Sequence, residues 1–186
     1  MNLSFLALWL PNRQRVKQLI DSASVKPSTY NSQPTYDITV RNSRSMPYDL
    51  VKDVYAPQVD ALCEMIGDAT GLREPSLRHG KVLCYDVDGH FERHQDTRID
   101  ERHRGTILIF PPKNDWSFEG GNLLCDGCQV DTHRVHQWNL IFIPLGIEHQ
   151  VLPVTHGQRI VFKYALFADG TVTKDNKLLP FAKKSM

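Results

Sequence analysis

The sequence predicts a mainly β domain, a barrel or jelly roll, with helices in front of it. Two observations carry this. Short runs rich in Val, Ile, Leu, Phe and Tyr recur at 81–87, 105–110, 122–125, 138–143 and 160–167, punctuated by Gly, Pro, Asp and Asn. Such spacing of short apolar runs is the signature of a sandwich or barrel. Before residue 80 the clearest periodicity is helical: Val59, Leu62, Cys63 and Ile66 recur at three- and four-residue steps. The chain has 186 residues, a length suited to one domain. It divides into a strand and helix segment over 1–79, a β core over 80–168 and a basic tail over 169–186.

Taken in order, residues 3–10 are apolar and followed by Pro11. No basic stretch precedes them and no small-residue cleavage site follows, so they read as a buried strand and not as a signal peptide. Residues 12–23 suit a short helix with Val16, Leu19 and Ile20 on one face. Residues 25–35, with Pro27 and Pro34, read as a loop. The weak alternation over 36–40 suggests a strand, and 48–55 a helical turn. The next helix runs from Pro57 to about Thr70. Proline suits a first turn, where its missing N–H has no partner to lose. Gly71 is placed to end the helix. Its apolar stripe reads as core packing. The tail carries Lys174, Lys177, Lys183 and Lys184.

Composition excludes several classes. Lys and Arg number 22 against 21 Asp and Glu, for a net charge of +1. That balance argues against a nucleic-acid partner recognised by bulk charge. With 41% hydrophobic and 23% charged residues, the chain is not a disordered one. No window approaches the ~20 apolar residues of a membrane span. Four cysteines do not make a disulfide framework. The expectation is an intracellular, cytoplasmic protein without a membrane partner.

Eight histidines are present, and two stand two residues before an acid: His90 with Glu92, and His94 with Asp96. Residues i and i+2 of a strand face the same way. Either pair can therefore offer an imidazole and a carboxylate to one metal, and spacing does not choose between them. His149, after the 138–143 run and the turn residues Pro144 and Gly146, is the candidate third ligand. Two histidines and one carboxylate leave three positions open, the arrangement that suits non-haem Fe(II). Arg159 opens the last strand. There Ile160, Phe162 and Tyr164 share one face, and Arg159 and Val161 share the other. If that second face lines a barrel, Arg159 is a buried cation that needs a partner, and a bound carboxylate would serve. On a rim it would be a wet guanidinium instead.

The stretch Tyr85-Asp86-Val87-Asp88-Gly89-His90-Phe91-Glu92-Arg93-His94-Gln95-Asp96 resembles the Y-x-x-x-G-x-[FY]-x-x-H-x-D signature of the prolyl 4-hydroxylase branch of the Fe(II)/2-oxoglutarate dioxygenases. Phe118-Glu119-Gly120-Gly121-Asn122-Leu123 is similar to that family's F-x-G-G-x-L, and the residues from His149 to Arg159 to its H-x-V-x-P-V-x-x-G-x-[RK] segment. The three blocks occur in family order and cover about residues 80–168.

The resemblance implies a double-stranded β-helix with N-terminal helices packed behind it. It selects His94, Asp96 and His149 as ligands of Fe(II), leaving His90 outside the set. Arg159 would pair with the distal carboxylate of 2-oxoglutarate, and Tyr85 would contact the same co-substrate. It implies use of O₂, release of succinate and CO₂, and ascorbate as a rescuer of over-oxidised iron. The implied activity is of the procollagen-proline 4-dioxygenase type, hydroxylation of a prolyl residue in a protein or peptide. The alternatives are the same chemistry on a free amino acid, a lysyl residue or a methylated base, and a non-catalytic cupin-like metal-binding module. Some members place Tyr or Thr on the strand after H-x-D to help hold the co-substrate. Thr106 can do so here, on a face the sequence does not fix; Phe110 cannot donate a hydrogen bond.

Two further features have bland and functional readings. Cys125 and Cys128 flank Asp126-Gly127, a preferred hairpin turn, and read as cross-strand neighbours. With His133 and His136 they offer four donors to zinc at unusually tight spacing. The mixed-charge stretch 97–104 leaves the H-x-D directly, and reads as a solvated loop or a substrate lid.

Overall fold

The computed structural model describes residues 20–21, 28–30, 33–35, 37–47, 59–112, 116–132 and 139–172. Its strands are β1 (Ser28–Tyr30), β2 (Gln33–Thr35), β3 (Arg41–Asn42), β4 (Arg44–Pro47), β5 (Arg73–Tyr85), β6 (His90–His94), β7 (His103–Phe110), β8 (Phe118–Gly120), β9 (Leu123–Cys125), β10 (Cys128–Val130), β11 (Asn139–Pro144), β12 (His149–Val151), β13 (Val154–Gly157) and β14 (Arg159–Asp169). Among the described residues one complete helix, α1 (Val59–Thr70), precedes β5.

The larger sheet has the order β11-β7-β14-β5-β4 and the smaller one β10-β9-β12-β6-β3. All their strand pairs are antiparallel. Ribbons β1-β2 and β13-β8 complete the strand pairing among the described residues. This is a jelly roll, the double-stranded β-helix expected from the sequence.

Two cores follow from strand alternation. Leu83, Tyr85, Leu108, Phe110 and Val161 of the larger sheet meet Leu123, Cys125 and Val151 of the smaller one between the sheets. The intervening residues Val82, Cys84, Ile107, Ile109, Ile160, Phe162 and Tyr164 form the second core with Leu62 and Ile66 of α1. Both faces of the larger sheet are thus covered, and β11 is buried at every residue. Such strands read as continuous apolar runs, which is why the sequence exposed them.

Helix α1 is described from Val59; its predicted start at Pro57 lies outside the described residues. Its stop is as expected: Gly71 takes φ +70° and its N–H bonds the Gly67 carbonyl at 2.8 Å, a left-handed cap.

Three expectations change. Several helices were expected before the barrel, and α1 is the one complete helix among the described residues. Ile20 and Asp21 are helical; the rest of 12–23, the predicted strand 3–10 and the turn 48–55 lie outside the described residues, as does the tail from 173. The strand expected over 36–40 is a turn at Ile38–Val40. Asp37 makes it so: its carboxylate accepts from the Thr39 amide at 2.9 Å and hydroxyl at 2.6 Å, competing with extended pairing. Finally, β5 starts at Arg73, eight residues before the predicted run. Its first half is polar and partly exposed and is drawn into the sheet by register with β14, from Asp169↔Arg73 onward.

Candidate metal centre

Strand β6 ends on His94 and β12 begins on His149, directly opposite each other in register. Their rings lie 4.2 Å apart. Asp96 sits two residues past His94, where β6 has ended. One donor atom each from His94, Asp96 and His149 falls within 4.8 Å of the others, close enough for one small cation. The His149 Nε2 to Asp96 Oδ2 distance is 3.8 Å.

Both imidazoles are oriented through their other nitrogen. His94 Nδ1 bonds the Glu92 carbonyl at 2.7 Å and His149 Nδ1 the Ile147 carbonyl at 3.0 Å. In each case the carbonyl belongs to the residue two earlier, so Nδ1–H donates and the Nε2 lone pair is left for a metal. Burial, and then the neighbouring His149 ring, push His94 down to about 4. Burial likewise lowers His149. Both rings are therefore neutral near pH 7, the form that ligates.

Asp96 is held from the larger sheet. Thr106 of β7 donates its hydroxyl to Oδ2, and Lys163 of β14 donates to Oδ1 at 2.8 Å. Burial alone would raise the Asp96 carboxyl; the Lys163 ammonium and these hydrogen bonds outweigh it and keep the group ionised. Fe(II) suits this donor set, two neutral imidazoles and a carboxylate.

Behind the triad lies Arg159, 1% exposed. It is registered opposite Tyr85, with its guanidinium carbon 5.0 Å from the Tyr85 ring and 5.2 Å from the Phe110 ring. Burial pulls it down to about 10, against the Tyr85 interaction, so it stays charged at neutral pH. Its Nε and Nη2 have no hydrogen-bond partner. Those two donors form one side of the guanidinium fork, the side that grips a carboxylate in two parallel bonds. Gly121 makes room for the arginine. It holds φ +61°, and a Cβ there would lie 2.9 Å from Arg159 Cδ and from Val154 Cγ2. Tyr85, His94, Thr106, His149, Arg159 and Lys163 line one cavity of about 30 Å³. A dicarboxylate enters it only if lining side chains shift.

The structure thus brings His94, His149, Arg159 and Tyr85 to one cavity, with Asp96 completing the triad from the adjoining recess. Thr106 is there too, with its hydroxyl on Asp96. His90 is elsewhere, bonded to the Asp88 and Thr39 carbonyls. Cys125 and Cys128 face each other across the turn in register, both as free thiols; His133 and His136 lie outside the described residues. Two site residues were missed. Lys163 stands four after Arg159, hence on the same strand face, and counting one more step along the alternation would have found it. Arg41 had no signal: it reaches the site from a two-residue strand, its guanidinium 4.5 Å over the Phe91 ring, which stacks on His94 at 3.5 Å.

The geometry, an H-x-D followed by a distant His on a double-stranded β-helix with a buried Arg on the last strand, defines the fold class before any comparison. That fold is shared with a 2OG-Fe(II) oxygenase family oxidoreductase from Burkholderia pseudomallei: TM-score 0.60 and 14% identity over 87% of this chain and 81% of that one. A prolyl hydroxylase from Trichoplax adhaerens, solved with a hypoxia inducible factor peptide, gives 0.58 and 15% over 83% and 75%. A prolyl-4-hydroxylase from Pseudomonas putida gives 0.53 and 18% over 87% and 90%. No family model and no curated protein matches the chain.

Proposed function

We propose that this protein is an Fe(II)- and 2-oxoglutarate-dependent dioxygenase that hydroxylates a C–H bond, with a prolyl residue of a protein or peptide as its substrate. The observation that carries the reading is Arg159. A fully buried guanidinium with two unanswered donors, opening on the same cavity as the two histidines of a two-histidine, one-carboxylate cluster, fits the far carboxylate of 2-oxoglutarate. A module that only stored metal would gain nothing from burying that charge.

His94, Asp96 and His149 would hold the iron. Iron and 2-oxoglutarate together supply the O₂ chemistry, with succinate and CO₂ as co-products. The chain's own contributions are distinct. The two backbone carbonyls fix the imidazole tautomers. Lys163 and Thr106 hold Asp96 ionised and in place. Arg159 and Tyr85 would orient the co-substrate, and the apolar residues between the sheets exclude water. The prolyl assignment is supported by the motif resemblance and by prolyl hydroxylases among the structures that share the fold.

The test is an anaerobic titration of the Fe(II)-loaded protein with 2-oxoglutarate. Keto-acid chelation gives a visible charge-transfer band. Its absence from iron-loaded protein would overturn the co-substrate assignment and leave a metal-binding module. Asp96→Ala should abolish succinate release while circular dichroism is retained; full activity in that variant would remove the triad.

A further inference from the structure

Beside the triad a second recess of about 170 Å³ opens between the sheets, lined among others by Arg41, Lys81, Asp96, Ile99, Thr106 and Lys163. It shares Arg41, Leu83, Thr106 and Lys163 with the cavity lined by His94 and His149, and itself holds Asp96, so whatever occupies it lies next to the candidate metal position. Its volume is below the ~300 Å³ of sites for drug-sized ligands. That is room for one side chain or a chain end, not for a nucleotide.

The wall of this recess is cationic. Arg41, Lys81 and Lys163 contribute three positive charges, and Asp96 is the one carboxylate among the described lining residues. Bound cofactors would not reverse that sign: iron(II) and a 2-oxoglutarate dianion cancel, and Lys163 answers Asp96, with the charges of Arg41 and Lys81 in addition. His79 and His103 also line it. His103 is held as a neutral ring, its Nδ1 accepting from the Ile99 amide at 3.2 Å and its Nε2 donating to the Gly105 carbonyl at 3.1 Å.

The placement of the cations is unusual for a sheet. Lys81 and Lys163 are direct cross-strand partners, on the face that carries Leu83 and Val161 into the inter-sheet core. Like charges directly opposite are destabilising. Lys163 is partly relieved by Asp96. Arg41 approaches from the other sheet and hydrogen-bonds only to Ser43 through Nε, at 2.7 Å, among the bonds of the described residues. Beside Lys81 the register slips between Lys163 and Ala165. His79 sits in that bulge with φ +55°, a left-handed conformation costly for a non-glycine residue.

We infer that the substrate of this site carries a carboxylate next to the carbon that is oxidised, docked against Arg41, Lys81 and Lys163. The carboxylate belongs to an Asp or Glu side chain beside the target residue, or to a C-terminal target residue itself. This rests on the dioxygenase reading of the triad and deepens it with a substrate class.

The experiment is calorimetric binding of end-blocked peptides to the full chain loaded with Mn(II) and saturating 2-oxoglutarate. The probes are Ala-Ala-Glu-Pro-Ala-Ala, its Gln-Pro, Glu-Ala and Gln-Ala counterparts, and Ala-Ala-Ala-Pro as free acid and as amide. The inference expects at least one acidic probe to bind about tenfold tighter than its neutral counterpart, with the gap shrinking as salt rises. Glu against Gln and acid against amide distinguish the two carboxylate sources. Lys81→Gln, a change at an exposed position, should close the gap while leaving neutral-probe affinity unchanged. Equal affinities, no binding of any acidic probe, or equal losses of both probe types in Lys81→Gln would overturn it. An acid preference that ignores Pro against Ala would sustain it and sink the prolyl reading. A proline preference that ignores charge would do the reverse.

Discussion

Arg159 buries two donors that have no hydrogen-bond partner. Two orphaned buried donors cost about 1–3 kcal/mol each, and the contacts with Tyr85 and Phe110 return roughly 0.5–2 kcal/mol. Arg159→Met should therefore raise the melting temperature of the metal-free protein and abolish its further rise with 2-oxoglutarate. A lower melting temperature would make the arginine a structural residue. Gly121 serves the same group. Gly121→Ala puts a methyl against Arg159 Cδ at a left-handed backbone position, for an expected loss of about 1–3 kcal/mol in urea unfolding together with weaker 2-oxoglutarate binding. The thiols divide by environment. Burial pushes Cys84 and Cys125 up to about 12, whereas Cys128 is exposed. A thiol reagent at pH 8 should modify Cys128 and spare the other two. The raised pair also sets a sign: an unfolded chain releases these protons near pH 9 and the folded one near pH 12, so stability falls as pH rises between them.

At the scale of elements, what was legible depended on how each strand is buried. β7, β11 and β14 are covered on both faces and stood out as apolar runs. The two faces of β14 were separable from the sequence, and the structure sends Ile160, Phe162 and Tyr164 to the helix side with Arg159 and Val161 between the sheets. The front half of β5, and the short β8, β10, β12 and β13, carry no period of their own. They are strands because a partner's backbone is there to pair with. β12 nevertheless bears His149, so one candidate ligand was named, from its place after a strand and turn and then by motif, on an element that periodicity could not see. Arg41 is the opposite case, a site residue on a two-residue strand with no motif. Helix α1 shows that a core stripe can be read directly. Ile66 is fully buried against the larger sheet, and Ile66→Ala should cost about 2–5 kcal/mol in denaturant unfolding. A cost below 1 kcal/mol would mean that the helix docks only loosely.

Charge balance and site chemistry separate at the scale of the whole molecule. A net charge of +1 excludes bulk electrostatic attraction, yet three cations converge on one recess, which no composition can show. The candidate metal centre, in turn, joins the two sheets. His94 and His149 come from the smaller sheet, and Asp96 is held by Thr106 and Lys163 of the larger one. A cation bound by all three ligands binds only the folded chain and so stabilises the entire domain. At a hundredfold excess over its dissociation constant, Mn(II) should contribute about 2.7 kcal/mol, raising the melting temperature by roughly 5–10 °C in a chain of this size. EDTA should reverse the rise. His149→Ala should remove it and leave a folded protein, because its β12 neighbours Gln150 and Val151 still pair with β9. If the variant keeps the full Mn(II) response, the ion sits elsewhere. The thiols at Cys125 and Cys128 are then the next ligands to replace, and the triad loses its assignment.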